Sequence, residues 1–132
     1  MDKEFINPPG LNKPPGYTHT VTARGGKHVF IAGQTAWNAQ GELVGRGDLR
    51  AQTVQAFENL KIALSAAGAT FDDVVKYTTF VVDYSPEVRP MLGEVREMYV
   101  PMDHPPAHTL IGVQSLARDG MLIEIEATAV VD

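Results

Sequence analysis

Two glutamates near the C-terminus are the residues of this sequence best suited to acid–base chemistry. Glu124 and Glu126 alternate with apolar residues in the run Ile123-Glu124-Ile125-Glu126-Ala127. Residues two apart on a β-strand point to the same side, so the predicted strand carries both carboxylates on one face. A carboxylate on a partly dry face can orient or deprotonate water. From the residues alone, the favoured alternative is that one or both acids pair with a basic residue of a neighbour, or extend into solvent at an edge of the sheet.

The four histidines do not combine into a metal site. His104 and His108 have the spacing of a helical ligand pair, but Pro105-Pro106 between them forbids that helix. The sequence has no cysteine and no third group of ligands that would complete a zinc site. His19 and His28 lie on or beside a predicted hairpin, where we expect surface side chains. We therefore expect no bound metal.

Nucleophilic and nucleotide chemistry are disfavoured as well. No Gly-x-Ser-x-Gly elbow is present, and Ser65, Ser85 and Ser115 lie in predicted helix, cap and strand contexts. The pair Gly45-x-Gly47 lacks the third glycine and the lysine of a phosphate loop. Since cysteine is absent, thiol nucleophiles and disulfides are excluded. We expect no cofactor.

Length and charge narrow the class of protein. At 132 residues the chain has the size of one domain. It carries 11 basic and 16 acidic residues, for a net charge of −5. Phosphate backbones are bound by clustered Lys and Arg, which are scattered here, so we expect no nucleic-acid partner. Neither a membrane span nor a signal peptide is recognisable, which indicates no membrane partner and a cytoplasmic location.

The elements that position the candidate residues follow the order β-β-α-β-α-β-β. Residues 1–16, rich in proline and glycine, are expected to form an extended arm without regular structure. The first helix is predicted to begin at the N-cap Asp48 and to end at Gly68. The second is predicted to open at Ser85-Pro86-Glu87 and to end at Pro101. The predicted strands cover residues 18–23 and 28–32, joined as a hairpin, and residues 71–84, 107–116 and 121–131.

These elements predict an α+β fold of two layers in a single domain, 1–132. Two helices cannot cover both faces of a five-stranded sheet, so both should lie on one face. In the last strand, one parity is apolar and suits the helices: Ile123, Ile125, Ala127, Ala129 and Val131. The other parity is semi-polar: Leu122, Glu124, Glu126, Thr128 and Val130. Because residues 71–84 are apolar on both faces, the second face also needs a cover, and copies of the same chain would supply it.

Several short motifs together resemble the Rid (RidA/YjgF, reactive intermediate deaminase) family. They are Ile31-Ala32-Gly33-Gln34, Gly45-Arg46-Gly47-Asp48, Asn59-Leu60, Asp73-Val74-Val75-Lys76, Pro106-Ala107-His108-Thr109 and the Ile-Glu-Ile-Glu-Ala run at 123–127. The resemblance extends from about Tyr17 to the C-terminus. It implies a chorismate-mutase-like fold of the bacterial trimeric type, with the helices on one face of a mixed sheet. It also implies a homotrimer that holds a small molecule in clefts between subunits.

The resemblance assigns roles to four positions. Tyr17 and Gly33 match residues that line the family's cleft, and Glu124 matches the acid thought to position the attacking water. His108 stands where the deaminase branch has an arginine that binds the substrate carboxylate through two parallel hydrogen bonds. An imidazole cannot reproduce that fork.

Two further positions depart from the family pattern. The family serine before Gly-Gln is Ala32 here, and an asparagine expected on the second helix falls near Met91-Leu92. Together with the missing arginine, these departures indicate an altered substrate. If His108 replaces the arginine, its hold on an anion should require the imidazolium, whose pKa the nearby Glu124 would raise, and activity should rise toward pH 6.

Two functions from different classes remain open. The first is a hydrolase of the deaminase type that acts on an imine, an enamine or a related C–N metabolite, with Glu124 as the catalytic residue and Tyr17, Gly33 and His108 binding substrate. The second is a non-catalytic trimer that binds a small ligand or regulates a partner on the same scaffold. The ribonuclease label carried by some relatives is disfavoured by the acidic charge balance.

Overall fold

The computed structural model describes residues 2–132 of the chain. The strands are β1 Asp2–Ile6, β2 Thr20–Arg24, β3 Lys27–Gln34, β4 Val74–Val82, β5 Ala107–Val113 and β6 Ile123–Val131. The α-helices are α1 Leu49–Ala66 and α2 Arg89–Glu97, and single 3₁₀ turns at Phe71–Asp73 and Pro86–Val88 precede β4 and α2.

The main sheet has four strands in the order β3-β6-β4-β5. β4 and β5 run parallel, whereas β3–β6 and β4–β6 are antiparallel. Both helices pack on one face of this mixed sheet, so the predicted α+β, two-layer fold is confirmed. We call the helix-covered face the inner face and the opposite one the outer face.

The N-terminal region differs from the prediction. Residues 2–6 form a strand rather than an irregular arm, and β1 pairs antiparallel with β2, with Phe5 opposite Val21. The predicted hairpin between β2 and β3 is wrong, because β3 pairs with β6. The chain does turn sharply at Gly25-Gly26, where both glycines have positive φ angles. Turn residues fix that local reversal, but the pairing of the strands is decided by distant segments, so the main sheet has four strands rather than five.

The first helix begins and ends as its sequence predicts. Asp48 caps it by accepting a hydrogen bond from Ala51 N at 3.1 Å. Gly68 follows its last turn with φ +75°, a left-handed conformation that glycine adopts without strain. Between these ends, Phe57, Leu60 and Leu64 are buried against the inner face.

The inner face is the hydrophobic core of the molecule. All five residues of the apolar parity of β6 are buried: Ile123, Ile125, Ala127, Ala129 and Val131. Burial of each of the larger side chains, those of isoleucine and valine, contributes about 1.5–3 kcal/mol to stability. The inner face therefore contributes much of the folding free energy.

The outer face combines acids with exposed apolar side chains. Glu124 and Glu126 stand beside Phe80 and Thr78 of β4, and Phe80 is in turn paired with Ile111 of β5. Phe30, on β3, is 77% exposed and Ile111 is 38% exposed. Within residues 2–132, no helix is both long enough and apolar enough to cross a membrane.

Candidate functional site

A cavity of about 310 Å³ lies between the helices and the inner face of the sheet. We call it the inner cavity. Its polar wall is made by Tyr17, Tyr77, Thr79, Tyr84, Arg89, Arg96 and His108, and its apolar wall includes Phe57, Leu92, Leu110, Ile123 and Ile125. It has two arginines and, among the described residues, no acidic side chain in its lining. In a chain with a net charge of −5, this cavity is locally electropositive.

His108 is a fixed part of the cavity wall. It stands directly opposite Tyr77 on the neighbouring parallel strand, and the two rings stack with centroids 3.9 Å apart and planes 12° apart. Its Nε2 lies 3.0 Å from Oγ1 of Thr79. Burial, reinforced by the positive charges of Arg96 and Lys76, lowers the pKa of His108 from 6.5 to about 3. His108 is therefore a neutral imidazole at physiological pH.

This placement corrects the expected role of His108. Glu124 was expected to lie nearby and to raise the pKa of His108, but Glu124 belongs to the outer face and His108 lines a cavity on the inner face. The nearest charges are cationic, so they lower that pKa instead. Within one chain the surroundings of His108 therefore favour a neutral imidazole and not the imidazolium expected to replace the family arginine.

Tyr17 reaches the inner cavity because the next residue is anchored. Thr18 is 3% exposed, and its backbone N–H donates to the carbonyl of Pro106 at 3.2 Å. Its hydroxyl also donates to the carbonyl of Pro105. These bonds hold the arm against the start of β5, two residues before His108. Sequence reasoning missed Thr18, which no local pattern distinguishes from other threonines.

Arg96 is a second residue that sequence reasoning missed. It lies four residues after Leu92 on α2, so both side chains are on the same side of the helix and both line the cavity. The arm passes close to it, since a Cβ on Gly16 would come within 2.7 Å of Arg96 Nη2. Gly16 has φ +107°, which an L-residue with a side chain rarely adopts. The i, i+4 relation to Leu92 was a usable signal for Arg96.

Gly33 and Glu124 form a separate pair at the outer face. A Cβ on Gly33 would lie within 2.7 Å of Glu124 Cδ and would overlap the carboxylate itself. Any larger residue at position 33 would therefore displace the Glu124 side chain. Glu124 is half-buried, whereas Glu126 on the same strand is exposed.

The four predicted site residues thus lie in two places within one chain. Tyr17 and His108 line the inner cavity, on the side of the edge strand β5. Gly33 and Glu124 meet near the other edge strand, β3. Of the positions that depart from the family pattern, Leu92 lines the inner cavity and Ala32 is exposed.

The remaining histidines have other surroundings. His104 Nδ1 lies 2.9 Å from a carboxylate oxygen of Asp103, and its ring meets that of Phe5 edge to face at 5.3 Å. His19 Nε2 lies 2.7 Å from the carbonyl of Asn12. Across residues 2–132, no group of three or more histidine and acidic side chains is arranged to hold a metal ion.

Comparison with known proteins shows which protein family this chain resembles. The profile of the family described as Endoribonuclease L-PSP matches residues 11–131. A RutC family protein from Pyrococcus horikoshii is 38% identical over 129 residues, covering 96% of this chain and 97% of the relative. A 2-iminobutanoate/2-iminopropanoate deaminase from Dermatophagoides farinae is 29% identical over 98% of both chains.

A solved structure agrees over the whole chain. The crystal structure of a Rid-family protein of unknown function from Yersinia pestis superposes with a TM-score of 0.87 at 45% identity, covering 99% of this chain and 100% of that one. The chorismate-mutase-like fold implied by the resemblance is thereby confirmed. This chain belongs to the Rid (YjgF) family, whose profile bears the name Endoribonuclease L-PSP.

Proposed function

We propose that this chain is a hydrolase of the Rid deaminase type that acts on an imine, an enamine or a related C–N metabolite. The observation that carries the proposal is the Glu124 carboxylate, which is half-buried and seated over the Cα of Gly33. The deaminase from Dermatophagoides farinae acts on 2-iminobutanoate and 2-iminopropanoate by name, which supports the reaction class.

The chemistry needs one water molecule and one group that exchanges protons. Water adds to the carbon of the protonated C=N bond: its oxygen bonds to carbon, the π electrons move to nitrogen, and Glu124 accepts one proton of the water. Glu124 then returns this proton to the carbinolamine nitrogen, the C–N bond breaks to release ammonia, and the hydroxyl proton leaves as the C=O bond forms. The products are a carbonyl compound and ammonia, so no oxidant, reductant or cofactor is required.

A homotrimer would unite the two halves of the site. Tyr17 and His108 lie on the side of edge strand β5, and Gly33 with Glu124 lie near edge strand β3. A contact that joins unlike regions of two copies is head-to-tail and must close into a ring to be finite. The exposed side chains of Phe30 and Ile111 on the outer face support such a contact. In this proposal each cleft lies between two subunits.

The lining of the inner cavity supports a substrate that differs from that of the deaminase branch. Its position 108 holds a neutral imidazole that already contacts Thr79 and Tyr77. Leu92 presents an apolar side chain on the helix where the family pattern has an amide. The cavity therefore favours a ligand with a larger apolar part than a plain 2-imino acid.

A non-catalytic trimer that binds a small ligand is the second candidate. One observation favours it: within one chain, Glu124 lies on the opposite face of the sheet from the inner cavity. If no second copy brings Glu124 to the inner cavity, a ligand bound there would have no carboxylate beside it to activate water.

The test compares two glutamates of the same strand. Hydrolysis of freshly generated 2-imino acids of increasing side-chain size is followed by ammonia release in wild type, Glu124→Gln and Glu126→Gln. We expect Glu124→Gln to lower kcat by about 10²–10⁴-fold, the usual contribution of a positioned general base. Glu126→Gln is the matched control and should retain activity. No hydrolysis by wild type above the uncatalysed rate would leave the non-catalytic function, whereas equal catalysed rates in all three proteins would overturn the role of Glu124.

A further inference from the structure

Two polar atoms beside the inner cavity are buried without a hydrogen bond of good geometry. Within the described residues these are the hydroxyl of Tyr77 and Nε of Arg96, and the guanidinium of Arg96 is itself close enough to the phenol to act on its pKa through both charge and hydrogen bonding. Tyr77 is 3% exposed, so bulk water cannot supply a hydrogen bond to its hydroxyl. A buried polar group left unpaired costs about 1–3 kcal/mol. Two such groups side by side indicate a site that a ligand completes.

Both atoms are hydrogen-bond donors next to a positive charge. Burial raises the pKa of Tyr77 to about 12, and the charge of Arg96 opposes that rise only in part. The phenol therefore keeps its proton, and the guanidinium keeps its charge at any physiological pH. Since the described lining of the cavity includes no acid, no side chain of the cavity neutralises Arg96.

We propose that Arg96 and Tyr77 bind the carboxylate of the ligand and so provide, from helix α2 and strand β4, the anion site that position 108 lacks. The guanidinium would donate to one or both carboxylate oxygens, and the phenol would donate to one of them. His108 would contribute its neutral ring, which stacks on Tyr77, and no positive charge. This inference rests on the proposed function for the identity of the substrate, but anion binding does not depend on catalysis.

The geometry around Arg96 supports a built site rather than a surface charge. Leu92 flanks the arginine on α2, and a Cβ on Gly93 would lie only 3.7 Å from Arg96 Nη2. The arm residue Gly16 approaches from the other side. Arg89, the second arginine of the cavity, is exposed at its rim and has freedom to move. One guanidinium and one phenol together offer donors for both oxygens of a carboxylate.

The experiment measures binding of a stable carboxylate without turnover. Isothermal titration with 2-oxopropanoate, with the isosteric neutral 2-oxopropanamide and with inorganic phosphate is performed on wild type, Arg96→Gln, Arg89→Gln and Arg24→Gln. Arg24→Gln removes the same charge from exposed strand β2 and is the matched control. We expect Arg96→Gln to weaken 2-oxopropanoate binding about ten- to a hundredfold, and Arg24→Gln to leave it unchanged.

Tyr77→Phe keeps the test informative if Arg96→Gln folds poorly. Because the hydroxyl has no hydrogen bond of good geometry and Tyr77→Phe keeps the aromatic ring, we expect the Tm of the ligand-free protein to change little. The same substitution should weaken 2-oxopropanoate binding severalfold. A purely structural role of Tyr77 would instead lower the Tm without a separate loss of affinity.

Several outcomes would overturn the inference. They are equal binding of 2-oxopropanoate and 2-oxopropanamide, tighter binding of phosphate, equal affinity of wild type and Arg96→Gln, or no binding by wild type at millimolar concentration. The two proposals fail separately. If binding of 2-oxopropanoate by wild type depends on Arg96 as expected while wild type shows no hydrolysis, the hydrolase proposal fails and the anion site stands.

Discussion

The two faces of the main sheet use neighbouring residues for different purposes. On the inner face, Ile31 is 8% exposed and Ile125 is fully buried, whereas on the outer face Phe30 is 77% exposed. The inner face is covered within one chain by α1 and α2, which leave beside it a cavity with two arginines. The outer face carries the Glu124–Gly33 pair and is covered only in part, since Val130 is buried there and Phe30 is exposed. A single strand can thus serve the core on one side and a prospective subunit contact on the other, because side chains alternate along it.

The largest expected effect is on the inner face. Leu60 of α1 is 1% exposed and belongs to the core cluster that packs on this face. Leu60→Ala should lower the free energy of unfolding by about 2–5 kcal/mol, since it leaves a cavity in a packed core. Lys61→Ala, at the exposed next position of the helix, is the control and should change it by less than about 0.5 kcal/mol. Urea unfolding at one fixed protein concentration measures both, because the stability of the proposed trimer would depend on concentration.

The next expected effect is on assembly through the outer face rather than on folding. Phe30→Ser removes the most exposed aromatic side chain of the outer face, which in the proposed trimer contributes about 1.5–3 kcal/mol per subunit. We expect sedimentation velocity to show wild type at three times the chain mass and Phe30→Ser shifted toward monomer. Met98→Ser is the matched control, because Met98 is 60% exposed at the end of α2 and lines neither the inner cavity nor the pocket beside Gly33. A monomeric wild type would contradict the proposed assembly.

Patterns within one segment were sufficient to predict much of the fold. The caps Asp48 and Gly68 bound α1 as expected, and the inner parity of β6 is buried at all five positions. The prediction of a β2–β3 hairpin was wrong because the pairing of a strand depends on distant segments of the chain. β2 pairs with β1, and β3 pairs with β6. A strand of five residues at the N-terminus, hidden before a proline-rich segment, gave too weak a signal.

The candidate site was less predictable, for a physical reason. Tyr17, Gly33, His108 and Glu124 were found from their place in motifs, but motifs do not show which face of a sheet a residue occupies relative to a distant helix. The environment of His108 depends on Arg96 and Lys76, which lie on other elements. A cluster of cations around a stacked imidazole exists only after folding, so the expected imidazolium could not have been rejected from the sequence.

A smaller effect follows from the pKa of His108. Because this pKa is about 3 in the folded chain and 6.5 as its ordinary value, the unfolded chain binds a proton below pH 6.5 that the folded chain does not. Stability contributed by the neutral histidine is therefore complete above pH 6.5 and is lost as pH falls from there toward 3. Discounted for partial exposure, we expect wild type to lose about 1–2 kcal/mol between pH 7 and 5 through this residue. In His108→Gln, urea unfolding at the two pH values should show a loss smaller by that amount. An equal loss in both proteins would mean that His108 titrates normally.

The smallest expected effect is an absence of pH dependence in hydrolysis. If His108 were the anion clamp, protonation near pH 6 would strengthen substrate binding and kcat/KM would rise as pH fell from 7.5. Since the folded histidine stays neutral down to about pH 3, its charge does not change over this interval. The imine substrate itself titrates, so the informative quantity is the ratio of kcat/KM for wild type to that for His108→Gln at each pH. We expect this ratio to stay constant within about twofold from pH 7.5 to 6, because Arg96 remains charged throughout and the imidazole contributes only its ring surface. A ratio that rises tenfold toward pH 6 would show that His108 becomes positively charged in this interval. The ligand of the inner cavity would then be bound by His108 on edge strand β5 instead of by Arg96 on helix α2.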